Sequence, residues 1–238
     1  MNNHDEIRQF AIRVSQRGQD LLSKLDVRDN NPVQITTSIL FGKLLNDLDS
    51  IVVMVDNGFV DQPFVIARTM LDKLFVISAL ANDDSKMEEL KKHFEHQQGG
   101  KVKKACSLGL IDTDEKEARL KELGGSNVRA SDWAGWAGMK DMYNREYTLF
   151  SDFIHVSLHS IEDCLVREAG KIKAIDMAPD SARKSELLIT AAYYILLTTE
   201  KVAAYFKITM PDQEEVESVF SRIAKPYFAD KNKIEDEQ

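Results

Sequence analysis

Apolar residues recur at helical spacing along most of the chain, and turn residues separate the stretches. Residues 5–25 carry Ile7, Phe10, Ile12, Val14, Leu21, Leu22 and Leu25 on one side, which predicts an amphipathic helix with Arg8, Arg13 and Arg17 on its outer face. Turn chemistry follows over residues 26–32. Residues 33–56 form the next expected helix, with Phe41, Leu44, Leu48, Ile51 and Val55 three and four apart. Asn57-Gly58 stops it, because glycine takes the left-handed position after a helix without a Cβ clash. Asp61 and Pro63 open a helix whose body, residues 64–81, is apolar on nearly every side. A helix of that kind belongs inside a bundle, and the short link makes it an antiparallel neighbour of the preceding one.

The second half reads the same way. Ser85 and Glu88 have capping-box spacing and start a helix with Met87, Leu90 and Phe94 inward; Gly99-Gly100 is expected to interrupt it, and residues 102–108 to resume it. Asp112 and Glu115 cap a short helix that Gly124-Gly125 ends. Residues 124–138 are the least regular, and Trp133 and Trp136 are expected to plug them onto the bundle. Residues 140–168 are expected to form one long helix, its core face made by Tyr147, Phe150, Ile154, Leu158, Ile161 and Leu165. Pro179-Asp180 opens a helix to about Phe206, with Leu187, Ala191, Tyr194, Thr198, Val202 and Tyr205 inward. Pro211 starts the last helix, with Val216, Val219, Phe220 and Ile223 inward. No stretch alternates with period two for long enough to be a strand. The expected fold is all-α, a single-domain antiparallel bundle of about seven to nine helices over residues 1–228, with a charged, frayed tail over 229–238.

Composition narrows the classes. A chain of 238 residues, 43% hydrophobic and 29% charged, is ordinary for a soluble protein with a sizeable core. Its net charge of −8 argues against a general nucleic-acid or membrane-surface binder. A local basic stretch remains, Lys86, Lys91, Lys92, Lys101, Lys103 and Lys104, diluted by Glu88, Glu89 and Glu95. Cys106 and Cys164 have neither metal nor redox spacing, the N-terminus lacks a signal-peptide pattern, and the apolar run 187–197 is too short to span a bilayer. A cytoplasmic protein is expected. His93 with His96, and His155 with His159, could each supply two metal ligands, but neither pair forms H-E-x-x-H and no third ligand is evident. No metal and no cofactor is expected, and Walker, G-x-S-x-G and Rossmann signatures do not occur.

The sharpest feature lies in the apolar helix. Arg68 and Asp72 sit one turn apart, with Arg68 on the face of Phe64, Leu71, Phe75 and Ala79. An unpaired charge there costs several kcal/mol, so the chain must supply partners. Tyr143, Tyr147, Ser151, His155 and His159 are spaced by four on the second long helix, with the tyrosines central and Ser151 and His155 at the edge of the core face. They are the natural partners of Arg68 and Asp72. The cluster has two readings: a satisfied network that fixes helix register, or a site where His155 moves protons and Arg68 holds an anion.

These residues resemble a known family. An NG turn with Gly58, Arg68 and Asp72 on an apolar helix, a loop with Trp133, and then Tyr143, Tyr147, Ser151 and His155 look like the bacterial helical proteins of domain-of-unknown-function family 5677. The resemblance covers about residues 33–165 and implies a helical bundle with a polar cluster across two helices, without an established activity. Asp72 stands where that family more often has glutamate, which shortens the carboxylate's reach. More distantly, the arrangement is similar to HEPN helical bundles, many of them RNA-cleaving toxins or defence proteins with R-x(4–6)-H on one helix. Here Arg145 precedes His155 by ten positions.

Two functions follow as expectations. The first is a non-enzymatic interaction or regulatory module, with self-association left open and no membrane partner, whose cluster fixes the fold or a small anion. The second is a metal-independent endoribonuclease acting on RNA. In it His155 would be the general acid or base, Arg68 would stabilise the phosphorane charge, and Tyr147 or Ser151 would orient them.

Overall fold

The computed structural model describes residues 3–59, 61–147, 150, 165–168, 170–175 and 181–228. In chain order these form α1 (Asn3–Ser23), α2 (Pro32–Asp56), α3 (Asp61–Asn82), α4 (Lys86–Ser107), α5 (Thr113–Glu122), α6 (Ala130–Trp136) and α7 (Lys140–Met142). A π turn over Tyr143–Tyr147 follows, then β1 (Leu165–Glu168), β2 (Lys171–Ile175), α8 (Ser181–Phe206) and α9 (Gln213–Phe228). The molecule is an all-α bundle with, among the described residues, one small strand pair.

Its centre is a ring of four helices. α1 packs on α2 and α8, α3 packs on the same two, and α2 meets α8 across the middle. Phe10, Phe41, Leu48, Met70, Phe75, Ile195 and Tyr194 are fully buried there, as the three-and-four spacing requires. α8 is long and apolar enough to cross a membrane, yet its apolar side chains fill this core. Outside the ring, α6 packs on α3 and places Trp133 in the core, edge-on to Trp136 at 5.0 Å. α4 pairs with α5 as an outlying arm.

Local chemistry sets the helix ends, at Gly58 and Asp112 as expected and at Asn31 in addition. Asn31 caps α2 by accepting from the Gln34 amide at 3.0 Å, with Pro32 behind it in the first turn. Gly58 follows α2 with φ +84°, the conformation that favours glycine. Asp112 caps α5 by accepting from the Glu115 amide at 2.8 Å.

Other expectations fail. Phe94, expected inward, is exposed, because α4 lies in the outlying arm and packs mainly on the short α5. Arg17 does not face solvent: it is 7% exposed, because the start of α9 folds over it. Its Nε donates to Asp212 at 2.9 Å and its Nη2 to Gln213 at 2.6 Å, partners almost two hundred residues away that helical spacing cannot reveal. Ser85 makes no side-chain cap and is itself helical in φ and ψ; its amide donates instead to Asp83 at 2.9 Å. Gly99-Gly100 does not interrupt α4, which runs unbroken through both. Residues 140–168 are not one helix, since α7 gives way to the π turn and Leu165–Glu168 is a strand. That strand pairs antiparallel with β2 around Gly170, with a bulge beside Val166 and Arg167; both strands are short and mostly exposed, so they carry no alternation to read. The expected tail, Ser151, His155 and His159 lie outside the described residues.

Polar links staple the ring at its edges. Arg8 clasps Asp56 with two bonds of 2.7 and 2.6 Å, Ser15 donates to Asp49 at 2.6 Å, and Lys73 donates to Asp47 at 2.8 Å. The Arg8 hydrogen bonds hold the Asp56 carboxyl below its ordinary 3.8. A depressed carboxyl stabilises the fold above its unfolded value and loses that contribution as pH falls through the folded one. Asp56→Asn should therefore be less stable than wild type at about pH 7, and the gap should narrow as pH falls below 3.8, as read by urea unfolding across that range.

A candidate polar site at the π turn

Arg68 emerges from α3 between two turns of buried apolar residues and is 12% exposed. Its Nη1 donates to Asp72 at 2.7 Å, and its guanidinium carbon stands 3.2 Å from the centre of the Tyr147 ring. Arginine suits this place because its flat, weakly hydrated group can stack on an aromatic face and pair at its edge together. Asp72 is 47% exposed, so the ion pair is partly screened by water and the stacking carries the specificity. The Nε of Arg68 is buried and has no hydrogen-bond partner among the described residues.

The π turn produces the receiving surface. A π turn is wider than an α turn, so residues four apart come closer to eclipsed. Tyr143 and Tyr147 accordingly lie ring to ring at 4.5 Å, and Tyr143 continues to Phe75 of α3 at 6.4 Å. A second row runs from Phe64 through Phe150, 5.8 Å away, to Tyr194 of α8, a further 6.5 Å on. π turns inside helices are frequent at functional sites because they re-aim side chains at the cost of regular hydrogen bonding.

The same turn carries a residue that periodicity missed. Glu146 is 16% exposed and accepts a hydrogen bond from the phenol of Tyr194, while Arg145 approaches its other oxygen at 3.7 Å. Burial, then the charge of Glu146 and the hydrogen bond to it, push the Tyr194 phenol well above its ordinary 10. Glu146 stands three residues after Tyr143 and flanks its face even on a straight α-helix, but a search for polar residues spaced by four passes over it. The available signal was Tyr194 itself, a tyrosine at an inward position of α8 whose hydroxyl needed a partner.

Of the residues singled out from spacing, Arg68, Asp72, Tyr143 and Tyr147 meet. Ser151 and His155 lie outside the described residues. His93 has its Nδ1 engaged by the Val128 amide at 3.2 Å and its Nε2 by Gln97 at 2.9 Å, which ties the 125–128 loop to α4. The lysine-rich stretch divides: Lys86, Lys91 and Lys92 pair with Asp83, Glu88 and Glu89, while Lys101, Lys103 and Lys104 make no ion pair among the described residues.

Two outcomes follow. Arg68→Ala should lose about 1–2 kcal/mol in urea unfolding, from the stacking and the i, i+4 pair together, and Arg68→Lys should recover less than half of it because an ammonium cannot stack edge-paired. In a tyrosine-labelled NMR titration Tyr194 should stay protonated past its ordinary 10, and Glu146→Gln should bring it only part of the way down, burial being the first cause. A raised phenol favours folding below the unfolded value and withdraws that contribution as pH climbs through the folded one.

The chain matches no curated protein and no solved structure. The more distant likeness to HEPN bundles is therefore not borne out. One family model does match, over residues 34–172, from the first turn of α2 into β2. That span holds Gly58, Arg68, Asp72, Trp133 and the π turn, and it covers more than half of the 238 residues. On that match the chain belongs to the family of unknown function DUF5677.

Proposed function

We propose that the protein is a non-enzymatic interaction or regulatory module of the cytoplasm, and that its Arg68 cluster is a latch holding the π turn against α3. The observation that carries this reading is the double engagement of Arg68, one edge on Asp72 and one face on Tyr147. A guanidinium that stabilises a reacting phosphate must keep its donors pointed at the place where charge develops. Here the charge is met by a carboxylate within the same helix and the face is covered by a ring. Glu146 adds negative charge beside the same turn, which opposes the approach of a phosphate backbone.

The test sets this against the nuclease alternative. Purified wild type, Arg68→Ala and His155→Ala are incubated with total RNA without added metal. The expected result is the same low background for all three, with Arg68→Ala melting below wild type. RNA cleavage by wild type that disappears in both variants would overturn the proposal. A melting temperature for Arg68→Ala equal to wild type would remove the latch.

A further inference from the structure

The arm made by α4 and α5 contains a cleft of about 420 Å³ built from residues that the π-turn site does not use. On the α4 side it is lined by His96, Gly99, Gly100 and Lys103. These stand at i, i+3, i+4 and i+7, so they share one helix face, with the two basic side chains roughly 10 Å apart along the axis. Leu120 and Leu123 make the opposite, apolar wall.

The glycines between the basic residues need an explanation, since each costs a helix interior about 1 kcal/mol relative to alanine. Gly99 is buried, yet a Cβ there would make only an ordinary contact with Leu120 at 3.6 Å, so packing does not demand a glycine. Gly100 is more open still: a Cβ there would meet nothing within 4 Å. No neighbour demands a glycine at that position, yet its bareness keeps the floor of the cleft open. Gly125 closes the end of the cleft. With φ +110° it lies so near α4 that a Cβ would fall 2.2 Å from the Lys92 carbonyl oxygen.

Charge gives the cleft a direction. Lys103 has no ion pair among the described residues, in contrast to the paired lysines of the first half of α4, and Lys101 and Lys104 flank it in the same state. Glu95 stands at the other end, its Oε2 3.4 Å from where a Cβ on Gly124 would be. The Lys103 end is therefore the one whose charge favours an anion. On a chain of net charge −8, such a local excess of positive charge is a distinct feature.

We propose that this cleft binds a small phosphate ester with a flat apolar body, of mononucleotide size. Lys103 receives the phosphate, the bare backbone at Gly100 admits the ligand, and Leu120 and Leu123 cover its body. The volume falls within the range of about 300–1,000 Å³ usual for small-molecule sites. The inference is independent of the role given to Arg68.

Isothermal titration calorimetry on the full chain tests it with adenosine monophosphate, adenosine and inorganic phosphate as probes. The monophosphate should bind once per chain, at least about tenfold tighter than either part alone. Lys103→Glu should weaken it by about tenfold or more, and raised salt should weaken it further. Gly100→Leu should abolish binding by filling the floor, while its melting temperature stays at or above wild type because an exposed helix glycine has been replaced. No binding of the monophosphate, or binding that survives Gly100→Leu, overturns the proposal. Equal affinity for inorganic phosphate also overturns it, by removing the role of the leucine wall.

Discussion

A guanidinium placed on the buried face of α3 is the constraint that organises the middle of this bundle. Moving such a group out of water is unfavourable by several kcal/mol unless its charge and its donors are both met. Asp72 meets the charge from the same helix, but it is half in water and cannot shield the flat faces of the group. Tyr147 does that, and to do so it must stand directly over α3. The segment after α7 is therefore not free to choose its own course. Its backbone widens into a π turn, the conformation that brings Tyr147 over Arg68 and stacks Tyr143 behind it.

The widened turn fixes a second attachment as a consequence. Once Tyr143 and Tyr147 face α3, Glu146 is directed to α8, where the Tyr194 phenol donates to it. One short turn thus bridges two of the four central helices, through a cation and a ring on one side and a carboxylate and a phenol on the other. Neither link alone specifies the geometry; each removes a polar group from solvent only if the other holds the turn in place. The family match ends at residue 172, so Tyr194 belongs to the part of the chain beyond it. The family-like segment is completed by a helix outside its own span.

The legible parts of the fold are those that local chemistry decides. Asp112 caps its helix, Gly58 turns the chain, and the apolar body of α3 is buried, because each depends on residues within a turn or two. Arg68 with Asp72 was legible for the same reason. The failures share an opposite cause. Arg17 is covered by residues from the far end of the chain, and no spacing along α1 carries that information. The π turn is invisible to a 3.6-residue period, which continues the helix straight through it, and Glu146 falls outside the every-fourth-residue series of Tyr143 and Tyr147. β1 and β2 are too short and too exposed for their pattern to stand out. Ser85 was a matter of competition: it had the cap spacing, but Asp83 stood two residues earlier and took the turn.

The two buried arginines show why local and distant partners differ in what they do. Arg68 and Asp72 lie on one helical turn, so their pair can form in α3 whenever that helix forms, folded bundle or not. A pair of that kind adds little to the difference between folded and unfolded chains, and its exposed half is screened further. Arg17 finds Asp212 and Gln213 only when α9 has docked on α1, so its hydrogen bonds report the closed bundle. By the same logic the distant member of the Arg68 cluster, Tyr147, carries the structural information, and Asp72 mainly lowers the cost of keeping the cation in place. The cluster is thus a local ion pair that becomes a tertiary contact through one aromatic ring.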